Sequence, residues 1–268
     1  MDLIDPLDRS GPSSGRPDGT GCARSVRDAG KDCGRPYRLL RRSPTLGQLG
    51  EPILQSMARA ATVRTVSRGD RIWTYGAPAD RFAVVCTGLV KLVTPGATRG
   101  TLLNVFGPGD SLGLPAALQR GGYIADAFAV TDSELLLIPA ESTIEAIERN
   151  PTAAVAVWAL LLEHGRMLHR KITIQSAGTV PRRLATALLQ LEERFGDEAA
   201  DGTRIIGLAL SREELAQLID ATVESTIRGM RALEKAGVVA TTADGFSLLN
   251  PATIERLARG EDSLSGEA

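Results

Sequence analysis

Residues that could recognise another molecule lie close together in the run TVESTIRGMR near the carboxyl end. Thr222 is a residue type that begins helices, and Glu224 and Arg228 would share one face of that helix because they lie four positions apart. Arginine can donate two hydrogen bonds to guanine, glutamate can accept one from cytosine, and the hydroxyl of Ser225 can contact a base or a phosphate. These residues, with Arg231 further along, predict a helix that reads base edges in the major groove of DNA.

The elements around this run are those of a helix-turn-helix. Ser211 and Glu214, three positions apart, form a capping-box pattern at the start of a first short helix that extends to Ile219. A tight turn at 220–222 then leads to the second helix, which Gly237 is expected to end. The second helix is the one that should enter the major groove.

A wing is predicted after the second helix. The runs 238–240 and 246–248 are joined across an Ala-Asp-Gly turn and favour a β-hairpin. Arg212, near the start of the first helix, is placed for a backbone phosphate. The same pattern also fits a solvated helix pair with a hairpin that contacts protein, and residues 181–260 hold ten Arg and Lys against twelve Asp and Glu. Any DNA-binding surface must therefore be a local patch.

A long helix is predicted before this domain, over residues 152–174. Apolar or small residues recur there at the 4-3-4-3-4 spacing of a coiled-coil seam: Ala154, Trp158, Leu161, Gly165, Leu168 and Ile172. Gly165 would let two backbones approach closely, so the seam favours a homodimer. The alternative is a helix that packs on its own domain. Self-pairing is favoured because a second apolar side, formed by Val155 and Leu162, could face the barrel and leave the seam free.

Residues 62–140 alternate short β-branched runs with glycine turns, which predicts a small antiparallel barrel or sandwich. An amphipathic helix over residues 46–60 precedes it. Residues 1–45 are rich in Gly, Ser and Pro and are expected to form a mobile arm. The predicted fold class is α+β, with an arm at 1–45, a β-barrel at 46–150, a dimerisation helix at 151–177, a winged helix-turn-helix at 178–251 and a C-terminal helix and tail at 252–268.

Composition and motifs restrict the cellular location and the class of protein that we expect. The 268 residues carry a formal net charge of −1, contain no apolar run long enough to predict a membrane span, and begin without the basic and apolar pattern of a signal peptide. Three cysteines are an odd set for a disulfide framework, so we expect a reducing cytoplasm. The sequence contains no P-loop, Gly-x-Ser-x-Gly or His-Glu-x-x-His motif and only two histidines, so we do not expect an enzyme.

The order of elements, with the turns GD, GAPADRF, TGLVKL and FGPGD, resembles the Crp/Fnr family of transcription regulators over about residues 46–260. The resemblance implies a jelly-roll barrel of the cyclic-nucleotide-binding type and a homodimer that activates transcription from a palindromic operator, with RNA polymerase as a partner and a small molecule or redox signal as effector. It also implies that Thr179 lies at the hinge and that Glu224 and Arg228 read bases. Ile227 departs from the family's oxygen sensor, which has a base-contacting serine there, so the operator sequence cannot be carried over.

The cyclic-nucleotide site of the family does not carry over either. Members that bind cyclic nucleotides have a Gly-Glu-Leu run followed by Arg-Ser or Arg-Thr, and that arginine neutralises the phosphate. Here Gly113 is followed by Leu and Pro, and Arg120 is followed by two glycines. The sequence therefore predicts that a cyclic nucleotide is not the effector.

Other cofactors and effectors stay open. Cys22, Cys33 and Cys86 are one short of the four ligands that an iron–sulfur cluster generally needs, and a haem would have only His164 or His169 as an imidazole ligand. A thiol switch between the first two cysteines is a further alternative. The sequence identifies no cofactor. A competing function is a cyclic-nucleotide-binding regulatory module whose winged helix does not bind DNA, and the winged helix itself argues against it.

Overall fold

A computed structural model describes residues 34–96, 100–150 and 153–261. Its N-terminal part consists of two four-stranded antiparallel sheets that pack face to face. The first has the strand order β1-β8-β3-β6 and the second β2-β7-β4-β5. The strands are β1 (Thr62–Val66), β2 (Arg71–Trp73), β3 (Arg81–Thr87), β4 (Val90–Thr94), β5 (Thr101–Phe106), β6 (Ser111–Leu112), β7 (Asp126–Ala129) and β8 (Ser133–Pro139). We call these strands and the helices on them the two-sheet domain.

Strand β8 shows why the sequence folds this way. Its run Leu135-Leu136-Leu137-Ile138 is buried on both faces. Leu135 and Leu137 join the core between the sheets. Leu136 and Ile138 point the other way, into a second core under the helices, because successive strand residues face opposite sides. An uninterrupted apolar run is what a strand buried on both faces requires.

Helices cover the outer face of the first sheet. They are α1 (Gly34–Arg42), α2 (Glu51–Ala60), α3 (Leu114–Leu118) and α4 (Ala140–Glu148). The expected arm at 1–45 is corrected in part: residues 34–42 form a helix because Leu40 is fully buried in the core beneath it. The helix expected over 46–60 is interrupted at Gly50, whose φ of +85° ends a short 3-10 turn at Gly47–Leu49 before α2 begins. Residues 1–33 lie outside the described part of the chain.

A single long helix, α5 (Ala154–Ser176), follows and packs along the two-sheet domain. The face in contact is formed by Ala156, Leu160 and Met167, not by the second apolar side expected from the sequence. Val155 is 79% exposed and Leu162 is 58% exposed, so the prediction that they face the barrel is wrong. Residues three and four apart share a helix face, and the small Ala156 lets the helix lie close to the domain.

The C-terminal domain is formed by α6 (Val180–Phe195), α7 (Arg212–Ile219), α8 (Val223–Lys235) and α9 (Pro251–Arg259) around one apolar core. A four-stranded antiparallel sheet of order β11-β12-β10-β9 flanks them: β9 (Gly196–Glu198), β10 (Arg204–Ile206), β11 (Val239–Thr241) and β12 (Phe246–Leu248). The expected hairpin of β11 and β12 is present. Strand β9 follows α6 directly and pairs with β10.

The wing turn depends on one glycine. A Cβ on Gly245 would lie 2.0 Å from the carbonyl oxygen of Ile206, so no other residue fits this turn without moving the backbone. Among the described residues, no helix combines the length and hydropathy that a membrane span requires.

Candidate nucleic-acid interface

The helix-turn-helix is built from two capped helices. Ser211 accepts a hydrogen bond from the backbone N–H of Glu214, and the Glu214 carboxylate accepts one from the backbone N–H of Ser211, which is the capping box that the sequence predicts. Helix α7 ends at Asp220, a non-glycine residue with a φ of +53°. Thr222 then caps α8 by accepting from the backbone N–H of Ser225.

The side chains expected to read DNA lie on the outer face of α8. Glu224, Arg228 and Arg231 are exposed and Ser225 is partly exposed, and we call these four residues the reading face. The Ser225 hydroxyl oxygen accepts from Thr222 Oγ1 at 2.9 Å and from Arg228 Nη2 at 3.1 Å. Because both of these are donors to the oxygen, the serine's own proton is left to donate outward. Ile227 is partly buried on the same helix.

Arg212 has partners within the C-terminal domain. Its Nη2 lies 3.3 Å from Glu234 Oε1 and 2.9 Å from Thr241 Oγ1. These contacts join the start of α7 to α8 and to the wing. A phosphate contact by Arg212, as the sequence predicts, would require the guanidinium to share or leave these partners, so this assignment stays a prediction.

Two cationic side chains donate hydrogen bonds to the backbone carbonyls at the carboxyl end of α7. Lys171 Nζ, from α5, donates to the backbone carbonyls of Gln217 and Leu218. Arg183, from α6, donates to the carbonyls of Ile219 and Asp220. The last carbonyls of a helix lack partners within the helix and carry the negative end of its dipole, so cations stabilise this end.

Lys171 is only 8% exposed. Burial lowers the pKa of its ammonium group from 10.5 to about 8, and the neighbouring Asp220 opposes this shift. The long helix is thereby connected to the first helix of the helix-turn-helix through a buried cation.

Among the described residues, two ion pairs join the two-sheet domain to the C-terminal domain. Lys91 on β4 contacts Glu214 on α7 with a Nζ to Oε1 distance of 2.6 Å. Burial raises the pKa of Glu214, but hydrogen bonds from Lys91 and from the Ser211 N–H outweigh it and lower the pKa overall. Arg194, at the end of α6, contacts Asp110 at 2.8 Å and also donates to the carbonyl of Val105.

No sequence pattern predicts these interdomain contacts. Lys91 and Glu214 are 123 positions apart, and Arg194 and Asp110 are 84 apart. Glu214 was identified only as a capping residue and Lys171 only as part of the long helix. A polar residue on an otherwise apolar face of a helix, as Lys171 is on α5, is the one signal that could have indicated a buried partner.

An aromatic pair lies against Gly113, the glycine after which the sequence lacks the Gly-Glu-Leu and Arg-Ser pattern. Trp73 and Tyr123 stack with ring centroids 4.3 Å apart. Both rings lie against Gly113, which has a φ of +79° and whose Cβ would be 3.1 Å from Trp73 and 3.2 Å from Tyr123. Arg120, further along, is exposed and forms an ion pair with Glu141 on the surface.

The candidate redox and haem residues are placed as follows. Cys86 is buried in β3, and burial, with Glu134 nearby, raises the pKa of its thiol to about 11, which disfavours the reactive thiolate. Cys22 and Cys33 lie outside the described residues. His164 Nδ1 lies 2.8 Å from the carbonyl of Leu160 in its own helix, and His169 is exposed. Within residues 34–96, 100–150 and 153–261 no cluster of His, Cys, Asp and Glu could hold a metal.

The predicted seam forms an exposed apolar stripe on α5. Trp158, Leu161, Leu168 and Ile172 are 45–66% exposed. A Cβ on Gly165 would meet no atom within 4 Å, so the lack of a side chain there serves no contact within this chain. Ala154, the first residue of the predicted seam, begins α5. Thr179 occupies the N-cap position of α6 between the two helices, but its side chain forms no capping hydrogen bond.

Comparison with known proteins supports both domains. A family model described as a cyclic nucleotide-binding domain matches residues 50–150, and one described as a Crp-like helix-turn-helix domain matches residues 182–257. A nitrogen fixation regulation protein FixK from Bradyrhizobium diazoefficiens is 30% identical over 63% of this chain and 69% of its own length. A CRP-like cAMP-activated global transcriptional regulator from Mycobacterium tuberculosis is 27% identical over 72% of this chain and 84% of its own.

The fold is shared with a solved structure. FixK2 from Bradyrhizobium japonicum superposes with a TM-score of 0.65 at 23% identity, over 74% of this chain and 96% of that one. Two matching domain models, these relatives and this fold agree with the order of elements described above. The chain therefore belongs to the Crp/Fnr family and is a DNA-binding transcription regulator with a cyclic-nucleotide-binding-like N-terminal domain.

Proposed function

We propose that this regulator binds a palindromic operator as a homodimer and reads each half-site with Glu224, Ser225 and Arg228. The observation that carries the proposal is the exposure of these side chains on one face at the amino end of α8, which Thr222 caps. In a helix-turn-helix this end of the second helix meets base edges. Arg228 would bind guanine, Glu224 would accept from cytosine N4, and Arg231 and Arg212 would contact the backbone further along.

Dimerisation would use the exposed stripe of α5. A stripe of large apolar residues in contact with water is a common mark of a protein interface, and Gly165 permits a close approach of two backbones. Pairing places two reading faces on one DNA duplex. Two half-sites of modest affinity then combine, which compensates for the lack of a basic excess in the C-terminal domain.

The N-terminal domain would regulate DNA binding in response to an effector other than a cyclic nucleotide. This part of the proposal rests on the Trp73–Tyr123 stack against Gly113 and on the absence of an Arg-Ser or Arg-Thr pair after it. A phosphate placed there would lack its counter-charge. The proposal further includes RNA polymerase as a partner, a cytoplasmic location and no catalytic activity, and Thr179 as the hinge.

The experiment is recovery of an operator from random DNA by the full chain, followed by measurement of the size and the salt dependence of the complex. We expect two symmetric half-sites with centres about 34–36 Å apart and two chains for each duplex. Affinity should fall steeply with salt because phosphate contacts release counterions. Failure to enrich any sequence, or binding of one chain to an asymmetric site, would overturn the proposed mode.

A further inference from the structure

A pocket of about 260 Å³ lies where three parts of the molecule meet. Thr45 and Ser111 form one wall, from the two-sheet domain and the segment before it. Glu163 and Arg170 on α5 form another, and Arg194 at the end of α6 closes the third. The pocket is separate from the Trp73–Tyr123 stack, whose residues do not line it. A molecule in this pocket would touch both domains and the helix between them.

The side chains that line the pocket carry more positive than negative charge. Arg194 forms an ion pair with Asp110 at 2.8 Å. The single carboxylate of Glu163 faces two guanidinium groups, Arg166 at 3.0 Å and Arg170 at 3.5 Å. The second distance is longer than an ordinary hydrogen bond between these groups. Three arginines and two carboxylates leave an excess of one positive charge, located at Arg170.

A chain of hydroxyl groups in the pocket wall offers no free proton to a ligand, which leaves ligand binding to the positive charges. Ser43 donates to the carbonyl of Gly109 at 2.6 Å, which can only accept. Thr45, 3.1 Å from Ser43, therefore donates to it, and Ser111, 3.1 Å from Thr45, donates in turn. Every hydroxyl proton in this wall is used within the protein. The charged donors that remain toward the pocket are the guanidinium groups.

The pocket stays open when α5 pairs along its exposed stripe. With about 100° of rotation for each residue, Glu163 and Arg170 lie at least about 120° around the helix from every residue of the stripe, and Arg166 lies at least about 80° from them. A second copy bound to that stripe would not cover them.

We propose that this pocket binds a small organic anion carrying at least two carboxylate or phosphate groups, held by Arg170 and Arg166 and in reach of Arg194. The pocket volume is slightly below the roughly 300–1,000 Å³ of sites for drug-sized ligands, which fits a compact metabolite. The anion displaces Glu163 from Arg170 and competes with Asp110 for Arg194. Because Arg194 and Asp110 belong to different domains, occupancy changes the contact between them, and this regulatory consequence rests on the proposed function.

The test is calorimetry on the full chain at constant ionic strength, with citrate and pyrophosphate as polyanions and acetate as the monoanion. We expect a polyanion to bind and acetate not to bind measurably. Arg170→Gln should lower the affinity for the polyanion about tenfold or more, since a charge-assisted contact is lost. Glu163→Gln should strengthen it because a competing carboxylate is removed, and a gain in affinity cannot come from misfolding. Arg120→Gln, which changes the same charge at an exposed ion pair outside the pocket lining, is the matched control.

Absence of heat with both polyanions, or equal affinities for wild type and Arg170→Gln, would overturn the proposal. Binding of citrate alone or pyrophosphate alone would identify which acid group the pocket takes. DNA binding is measured separately by fluorescence anisotropy. Polyanion binding without any DNA binding would contradict the proposed function and leave the pocket assignment standing, whereas DNA binding without polyanion binding would do the reverse.

Discussion

Lys171 Nζ lies 3.0 Å from the backbone carbonyl oxygen of Gln217, so the long helix α5 holds the carboxyl end of α7. Helix α5 carries the predicted dimer seam, and α7 is the first helix of the helix-turn-helix. A single buried lysine thus connects the surface that would pair two chains with the element that positions the reading face. A rotation or shift of α5 would therefore move or break the hydrogen bonds from Lys171 to the end of α7.

The buried lysine should give the protein a distinctive pH dependence. Its pKa is lowered to about 8 in the folded state, whereas the ordinary value is 10.5, so the unfolded chain binds more protons between these two pH values. The free energy of unfolding should therefore rise from pH 8 to 10.5 in the wild type relative to Lys171→Met, by about 1–3 kcal/mol. Urea unfolding of both proteins at pH 7 and pH 10 measures this difference.

The comparison with Lys171→Met is needed because other groups titrate in the same range. Burial raises the pKa of Cys86 to about 11 and that of Tyr123 to about 12, and both act in the opposite direction as pH rises. They are present in both proteins and cancel. Parallel stability profiles for wild type and Lys171→Met would show that the lysine titrates normally.

Loss of the Lys91–Glu214 ion pair should weaken the contact between the domains. Glu214→Gln keeps an acceptor for the capping box but removes the charge that Lys91 faces. We expect the free energy of unfolding to fall by about 1–2 kcal/mol at neutral pH. Glu213→Gln, at the exposed neighbouring position of the same helix, is the control and should change stability little.

The stability difference between wild type and Glu214→Gln should also depend on pH in the acid range, in a direction that the pKa shift determines. The pKa of Glu214 lies below its ordinary value of 4.5 in the folded state, so its contribution is complete above that pH and is lost as the pH falls through the lowered value. The difference between wild type and Glu214→Gln should shrink as the solution is acidified below pH 4.5. A difference that stays constant in acid would place the effect elsewhere than in the carboxylate charge.

The exposed stripe of α5 should set the oligomeric state. Leu161→Glu would place two like charges in a closed apolar contact, so the variant should be monomeric by light scattering and bind a full operator only weakly. Thr173→Glu is the control, because it adds the same charge at an exposed position of α5 that is neither three nor four residues from any residue of the seam, and it should leave the dimer intact. If Leu161→Glu stays dimeric, this stripe is not the interface.

Cyclic AMP should not stabilise the protein. A ligand that binds only the folded state stabilises it by about 2.7 kcal/mol at one hundred times its dissociation constant. With the Trp73–Tyr123 stack against Gly113, we expect no such change in a thermal unfolding experiment. A calorimetric isotherm of micromolar affinity with cyclic AMP or cyclic GMP would show that the N-terminal domain does bind a cyclic nucleotide.

Local signals predicted the C-terminal domain well. Ser211 with Glu214, Thr222, and Gly237 are caps and stops whose effect is decided within a few residues, and all three act in the structure as expected. The burial of Leu40 could not be predicted, because it depends on a core assembled from residues far along the chain. For the same reason the inner face of α5 was misassigned, since Val155 and Leu162 are as apolar as the residues that do pack.

The reading face was predictable and the connections behind it were not. Glu224 and Arg228 follow from helical spacing and side-chain chemistry, which the sequence contains in full. The contacts of Lys171, Arg183 and Arg194 depend on how two domains meet, and no short-range pattern encodes that arrangement. In the sequence, cations with buried partners cannot be distinguished from ordinary surface cations, because their partners are distant in the chain.

Selection of operators from a randomised DNA pool by wild type, Arg228→Ala and Arg228→Lys measures whether Arg228 reads a base. Lysine keeps the charge but cannot form the bidentate contact with guanine. Arg228→Ala should lose about 1–3 kcal/mol per half-site and relax the preference at one symmetric position, and Arg228→Lys should relax the same position while retaining more non-specific affinity. If both variants recover the full wild-type base preference, Arg228 is a backbone contact and the assignment of the reading face is wrong.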